Sequence, residues 1–423
     1  MNNNNSTGND NFRNLKKQES DSGSEFRYDR REFLKLGGIA LAGLTTLNSE
    51  LYGTTVSSVE IKNVIIENGV ILEANDGTTG VFKGSPSQDL DTLHNHLQKI
   101  RELLIGRDPL DRTIDAEMIW ESIYPGRAKL YAEGKDPLTS ELIANKPRKE
   151  RHTSTGRVFM AFSTVDNSLW DLRGKLLKTP VYKIIGDASR KQVPVYWRPG
   201  EAKNGFNEAC RQAREAFDQG FIYQKWYWNK GAMDGKEGLK ENIDLIRRLR
   251  EELPEVHLMI DNHSIRYDDD VDYSVELCRA VAQYNPYWIE EPICPEHVDG
   301  YWRIKEETGV PIAGGEHLYT RWPIQAFLNR KCIDFVQSDP IWCGGISEWL
   351  KICEMAGKFP GVKVVPHITN PWTVAPHCVA SKSDVLCPLL EYNVEGGKDA
   401  LARYMNRTDN GEMVMTMPQE PGI

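Results

Sequence analysis

Three acidic residues close short apolar runs in the second half of this 423-residue chain. Met259-Ile-Asp261-Asn-His263, Trp288-Ile-Glu290-Glu291-Pro292 and Ala313-Gly-Gly-Glu316 set Asp261, Glu290 and Glu316 at a near-regular interval. On consecutive barrel strands, such run ends converge at one mouth. Three carboxylates crowded there raise one another's pKa unless a cation lies between them. A few hard oxygen ligands, with positions left for water and substrate, suit Mg²⁺. A solvated surface carboxylate explains one such residue well and three at matching positions poorly.

The next two runs end at Ser338-Asp339 and Pro366-His367. Neighbouring strands bring Asp339 within reach of the His367 imidazole, where a carboxylate on one ring nitrogen makes the other more basic. His367 is thus the candidate general base. His263 lies two residues after Asp261, so strand alternation puts both on one face. Two histidines flanking a metal-bound substrate would make one a base and the other an acid. Lys225 and Tyr227 share a face at the end of an earlier run. Lys225 could neutralise a substrate carboxylate, or form a salt bridge at the core edge; Trp226 and Trp228 pack outside. Glu391 ends the last run and, if protonated, could hydrogen-bond a developing enolate; a structural hydrogen bond is the equal alternative.

Eight β-runs must position these groups: Val193–Trp197, Tyr223–Tyr227, His257–Asn262, Tyr287–Pro292, Pro311–Glu316, Asp334–Asp339, Lys363–His367 and Leu389–Tyr392. Helical segments separate most of them; Leu239, Ile243, Ile246 and Leu249 form one apolar stripe within 237–253. This α/β alternation predicts a (β/α)₈-type barrel with its chemistry at the strand C-termini. A doubly wound sheet competes, but no Gly-x-Gly-x-x-Gly follows a strand. Upstream, 59–72 reads as strands ending in the turn Asn75-Asp76-Gly77, and 89–123 and 159–177 read as helices. The basic run Lys146–His152 reads as a solvated face rather than an anion contact.

The chain carries 52 Lys and Arg against 61 Asp and Glu, a net charge of −9, which argues against a nucleic-acid partner. Its eight cysteines are scattered, with no Cys-x-x-Cys pair, and read as free thiols. Residues 1–29 are polar and predict disorder. Arg30 and Arg31 then precede Phe33-Leu-Lys35 and a weakly apolar run to Leu47. This pattern reads as a twin-arginine export signal, with the export machinery as partner and the periplasm or exterior as destination. No Ala-x-Ala cleavage site follows, so an uncleaved signal would leave the protein tethered.

From about residue 56 to 420 the sequence resembles the mandelate racemase subgroup of the enolase superfamily, especially its acid-sugar dehydratases. Leu104-Ile-Gly-Arg-Asp-Pro109, Trp170-Asp-Leu-Arg-Gly-Lys175 and Pro180-Val-Tyr-Lys-Ile-Ile-Gly186 match the capping domain and its junction. Ile289-Glu-Glu-Pro292, Gly314-Gly-Glu316, Asp339 with Gly344-Gly345, and Val364-Val-Pro-His367 match the barrel in order. The resemblance implies an α+β capping domain over 56–186, a barrel over 187–394 and a C-terminal segment, 395–423, returning to the cap, with 1–55 as disordered leader and signal. It implies that Asp261, Glu290 and Glu316 bind one Mg²⁺ and that Asp339–His367 is the base. Asp261 with His263 looks like galactonate dehydratases, where the matching His is the acid. Trp342-Cys-Gly-Gly345 and Gly315-Glu-His317 look more like rhamnonate dehydratases. The racemases carry Lys-x-Lys where this chain has Lys225-Trp226-Tyr227, and losing the second Lys favours one-base β-elimination.

The expected reaction removes the proton α to a carboxylate, expels the β-hydroxyl and yields a 2-keto-3-deoxy acid. A racemase, epimerase or cycloisomerase on the same metal site, a lyase for an anhydro-sugar acid, and an inactive sugar-acid binding protein are the alternatives. Specificity is expected in loops near 73–86 and 124–155, and the resemblance suggests a symmetric homo-oligomer.

Overall fold

The computed structural model describes residues 59–84, 90–123, 156–199, 205–262, 270–368, 373–393 and 402–423. His263, the leader, the basic run at 146–152 and the loop at 124–155 lie outside the described residues. Ser58–Ile423 forms one compact unit, and among the described residues no helix is long and apolar enough to cross a membrane.

The first layer is an antiparallel meander of β1 (Ile61–Ile66), β2 (Val70–Ala74) and β3 (Thr79–Phe82). The Asn75-Asp76-Gly77 turn closes it, with Gly77 at φ 88°, a conformation glycine adopts without steric cost. Residues 79–82, expected within a specificity loop, are therefore strand. Helix α1 (Leu90–Leu104) buries Leu93, Ile100 and Leu104, and α2 (Ala116–Ile123) buries Ile119 and Trp120. Both pack with the meander on α3 (Arg157–Leu176), which is buried from Phe159 to Gly174. At Gly80 a Cβ would stand 2.3 Å from the Ser168 carbonyl oxygen, so only glycine allows this contact.

Eight parallel strands follow: β4 (Gln192–Arg198), β5 (Tyr223–Tyr227), β6 (His257–Asp261), β7 (Trp288–Glu290), β8 (Ile312–Gly314), β9 (Phe335–Val336), β10 (Lys363–Val364) and β11 (Leu390–Asn393). β4 to β10 pair in chain order, and β11 returns to pair with β4. No ladder joins β10 to β11 among the described residues, although the Val364 N–H donates to the Leu386 carbonyl at 2.8 Å. Tyr196, Met259, Trp288, Ala313, Phe335, Val365 and Leu389 form one buried cluster, separate from the outer core. Side chains from both ends of a strand order share one interior only when the sheet curls round, as a (β/α)₈-type barrel requires.

The helices between strands include α4 (Phe206–Asp218), α5 (Gly235–Glu252), α6 (Val271–Val281), α7 (Val298–Thr308), α8 (Arg321–Arg330), α9 (Gly345–Ala356) and α10 (Val374–Ala380). The N-terminus of α9 is capped by α3: Ser163 Oγ, Asn167 Oδ1 and Asp166 Oδ2 accept from the Gly344, Ile346 and Ser347 N–H groups at 2.9, 3.0 and 2.9 Å. These are donors the helix itself leaves unsatisfied. All eight cysteines are free, and six are buried.

The C-terminal segment first extends the sheet. β12 (Met405–Arg407) and β13 (Met413–Thr416) form a hairpin, and β13 pairs antiparallel with β4. Only then does the chain reach α3, where the Ile423 N–H donates to Asp171 Oδ1 at 3.0 Å.

Candidate active site

Strand alternation builds the site directly above the interior cluster. Two residues beyond Tyr196, Met259, Trp288, Val365 and Leu389 stand Arg198, Asp261, Glu290, His367 and Glu391, on the same inward face. Lys225 is in register with Met259, and Tyr227 with Asp261. The pattern thus carries five of the eight strands from apolar interior to charged mouth within two residues.

β9 and β10 end earlier than their expected runs, so Asp339 and His367 lie three residues past them. Ladder-like bonds continue across the gap, the His367 N–H donating to the Gln337 carbonyl at 3.1 Å. The pair forms as expected: His367 Nδ1 and Asp339 Oδ2 are 2.9 Å apart. Asp339 Oδ1 is fixed by the Ile341 N–H at 2.6 Å. Burial disfavours charge on His367, yet Glu316 and the Asp339 hydrogen bond outweigh it and hold the imidazole up at about 9. Nε2 of His367 faces Glu316 Oε2 at 3.8 Å.

Lys225 is buried, and its ammonium lies 2.8 Å from Glu290 Oε1, 3.1 Å from Asp261 Oδ2 and 3.7 Å from Glu391 Oε1. The Trp288 indole N–H donates to Glu290 Oε2 at 3.1 Å. Burial pushes the Glu290 carboxyl well above its ordinary range, and the Asp261 charge adds to this. Burial also raises Glu316, but His367 and His317 more than reverse it and hold it at about 2.

Glu391 lies between two cations. Burial raises its pKa, but Lys225 and Arg198 together bring it below the ordinary value. It is a buried carboxylate whose Oε2 accepts from the Tyr196 hydroxyl at 3.0 Å and the Ile368 N–H at 3.3 Å. Tyr227 accepts a hydrogen bond from Arg198 Nε; burial raises its phenol, and the Lys225 and Arg198 charges only partly oppose this.

Sequence reasoning gave no site role to Arg198, Glu291, His317 and Trp342, although the last three stand inside the family-like motifs. Alternation from Tyr196 would have found Arg198, one residue beyond the expected end of the first run. It could not have found Glu291. Simple alternation turns Glu291 away from Glu290, but a φ of 40° breaks the pleat, at a cost of about 1–3 kcal/mol for a non-glycine residue. Its buried carboxylate reaches His317, with Nδ1 at 3.0 Å from both oxygens, and its pKa is pushed to about 7 by burial and Glu316. His317 Nδ1 also lies 3.5 Å from Glu316 Oε1. The Trp342 ring stands 5.9 Å from His317 and 4.9 Å from His367.

Donor chemistry at the mouth fits a hard divalent cation: Asp261, Glu290 and Glu316 are buried carboxylates whose mutual repulsion a cation would relieve. Their orientation divides them. Asp261 and Glu290 meet on Lys225, while Glu316 turns to the two histidines. Among the described residues, the group of three with ligand atoms within 4.8 Å of one another is Glu291, Glu316 and His317.

The model of the Enolase C-terminal domain-like family matches residues 208–423. The L-rhamnonate dehydratase of Saccharopolyspora erythraea is 31% identical over 311 residues, covering 72% of this chain and 68% of that protein. The arabinonate dehydratase of Saccharolobus solfataricus is 29% identical over 357 residues, covering 83% and 86%. A solved rhamnonate dehydratase from Gibberella zeae, complexed with Mg, superposes with a TM-score of 0.63 at 28% identity, covering 84% of this chain and 78% of that one. The barrel strand order, the charged layer at its mouth and these matches converge: the chain belongs to the Enolase C-terminal domain-like family, in the mandelate racemase subgroup of the enolase superfamily.

Proposed function

We propose that the protein is a Mg²⁺-dependent acid-sugar dehydratase, acting on an aldonic acid and releasing water and a 2-keto-3-deoxy acid. The observation that carries this reading is the Asp339–His367 pair, aimed across Glu316 at a floor of buried carboxylates. The names of the two dehydratase relatives support it.

Asp261, Glu290 and Glu316 would hold the ion. Bound there, Mg²⁺ supplies a Lewis acid for the substrate carboxylate. In its neutral form His367 Nε2 takes the α-proton, with Asp339 fixing the ring through Nδ1 and stabilising the imidazolium that results. Lys225 supplies a positive charge beside the carboxylate end of the substrate. The β C–O bond then breaks as its electrons are replaced by those of the former α C–H bond, forming a double bond. The departing hydroxide takes a proton from an acid, a role His263 fits by its position two residues after Asp261. The enol product tautomerises to the keto acid. Tyr227, raised by burial and held by Arg198, does not replace the racemases' second Lys as an opposite-face base at neutral pH.

The same proposal extends to the leader. Arg30, Arg31 and the apolar run to Leu47 support twin-arginine export of the folded enzyme to the periplasm or beyond. A homo-oligomer, and a division into a cap over 56–186, a barrel over 187–394 and a tail from 395, are proposed from the family resemblance.

The test is mass spectrometry of aldonic and aldaric acids incubated with the full chain and Mg²⁺ in D₂O. Loss of one water from a particular acid establishes dehydration and identifies the sugar. Deuterium gain without water loss replaces the reading with a racemase, epimerase or cycloisomerase. No change across the panel, with binding retained, leaves a sugar-acid binding protein.

A further inference from the structure

Arg198 uses only one edge of its guanidinium. Nε donates to the Tyr227 hydroxyl and lies 3.2 Å from Glu391 Oε1, and the guanidinium stands 5.5 Å from the Tyr227 ring, while neither Nη group donates a hydrogen bond among the described residues. Arg321 and Arg250 behave differently. Arg321 places Nη1 on Glu348 and Nη2 on Glu117, and Arg250 spreads its fork over backbone carbonyls, including those of Pro254, Val256 and Asn285. Arginine's planar fork is the part of the side chain suited to paired oxygen atoms. Leaving it open beside a buried carboxylate is a poor use of a purely structural arginine.

Arg198 lies at the mouth. Arg198 stands two residues beyond Tyr196 on the inward face of β4, and its side chain is 20% exposed. Its charge acts on both Asp261 and Glu316. Strand order sets β4 between β5 and β11, across the mouth from β8, which leads to Glu316. A substrate with its carboxylate end at Asp261, Glu290 and Glu316, and its α-carbon at His367, extends its remaining carbons toward β11 and β4. Glu391 already balances the charge of Arg198, and a distal anion would lie against that buried carboxylate. Neutral paired oxygens meet no such repulsion.

We propose that Arg198 is the specificity-determining residue of the mouth, its Nη fork hydrogen-bonding two hydroxyl oxygens on the distal carbons of a monocarboxylic sugar acid. This rests on the reading of the mouth as a sugar-acid site and names the part of the substrate it selects.

The experiment is titration calorimetry of the full chain with Mg²⁺, using aldonic acids of four, five and six carbons, alongside α-proton exchange in D₂O. The wild-type chain should prefer the six-carbon acid over the four-carbon acid by about tenfold or more, as expected for hydrogen bonds from a charged donor. In Arg198→Lys and Arg198→Gln that preference should collapse to about threefold or less, since neither side chain reproduces the fork. Tyr227→Phe removes a partner of Nε but leaves the fork, and should keep the chain-length preference whatever it does to overall affinity. Thermal melting confirms that each variant is folded.

An unchanged preference in the Arg198 variants overturns the proposal. So does an equal loss for every chain length, which would mean that Arg198 acts through Glu391 and Lys225. Tighter binding of a six-carbon dicarboxylic acid, lost in Arg198→Gln, replaces the diol with a second carboxylate. Binding with an Arg198-dependent preference but no α-proton exchange leaves this inference standing and removes the dehydratase reading; exchange without the preference does the reverse. No binding by any acid removes both.

Discussion

The barrel mouth and the seam between α3, α2 and the helices α8 and α9 both bury many charges, and they handle them in opposite ways. At the seam nearly every charge has a partner of opposite sign or a carbonyl. Arg321 reaches Glu348 and Glu117 at 2.6 and 2.7 Å, and Lys351 reaches Asp115 and Glu117 at 2.8 and 2.6 Å. Arg173 donates to the Pro109, Asp111 and Ile114 carbonyls. At the mouth Asp261, Glu290, Glu291, Glu316, Asp339 and Glu391 are set against the permanent cations Lys225 and Arg198. A balanced buried network needs nothing further, whereas an excess of buried carboxylates is stable only with another cation or with protons taken up. The imbalance therefore marks the place where something binds.

Breaking each region sharpens the contrast. The largest effect should come from the base: His367→Asn should reduce α-proton exchange by about 10²–10⁴-fold. Melting temperature and Mg²⁺ affinity should stay close to the wild type. Exchange that survives in D₂O would reassign the base.

At the seam, Arg321→Leu leaves Glu348 and Glu117 to share Lys351 and should cost about 3–5 kcal/mol, the usual result of removing one partner of a buried pair. Urea denaturation reads this directly. A loss below about 1 kcal/mol, the scale of a surface ion pair, would show the seam to be solvated instead.

Asp166 gives the seam a pH dependence. Burial, with the Ser347 N–H opposing, pushes its carboxyl up to about 6 from 3.8, and its Oδ1 has no hydrogen-bond partner among the described residues. The folded state holds this proton more tightly than the unfolded chain. The contribution is thus complete below about pH 4 and is lost as pH rises through about 6, a difference of about 3 kcal/mol. Asp166→Asn should remove that segment of the stability–pH curve, measured as the wild-type-minus-variant difference. Parallel curves would mean that Asp166 is already ionised at pH 4.

The smallest effect separates two acidic neighbours. Glu291→Gln should weaken Mn²⁺ binding, followed by electron paramagnetic resonance, by about 10–100-fold, as for groups that orient a ligand. Glu290→Gln should weaken it further. The reverse order would move the metal to Glu291, Glu316 and His317.

Much of this was legible because a barrel repeats. All eight expected β-runs form strands, and on five of them a period of two carries an apolar interior residue to a charged one at the mouth. That rule placed Asp261, Glu290, Lys225, Tyr227 and Glu391 at one end of one barrel. It also predicted that Asp339 and His367 would meet, since the carbon chain of neighbouring runs leaves little choice. The hairpin at 405–416 was not legible, because its pairing with β4 joins segments about two hundred residues apart and neither carries a local signal for the other.

The sequence by itself determined which residue types stand at the mouth and in what circular order, because pattern and chain order survive folding unchanged. Tertiary structure alone decided what each of them is. Glu391 has its pKa lowered because Lys225 and Arg198 converge on it, Glu291 entered the site because a left-handed φ breaks the pleat, and Arg198 donates through Nε because Tyr227 and Glu391 meet that edge. Protonation and hydrogen bonding depend on neighbours within a few ångströms, and those neighbours come from strands far apart in the chain.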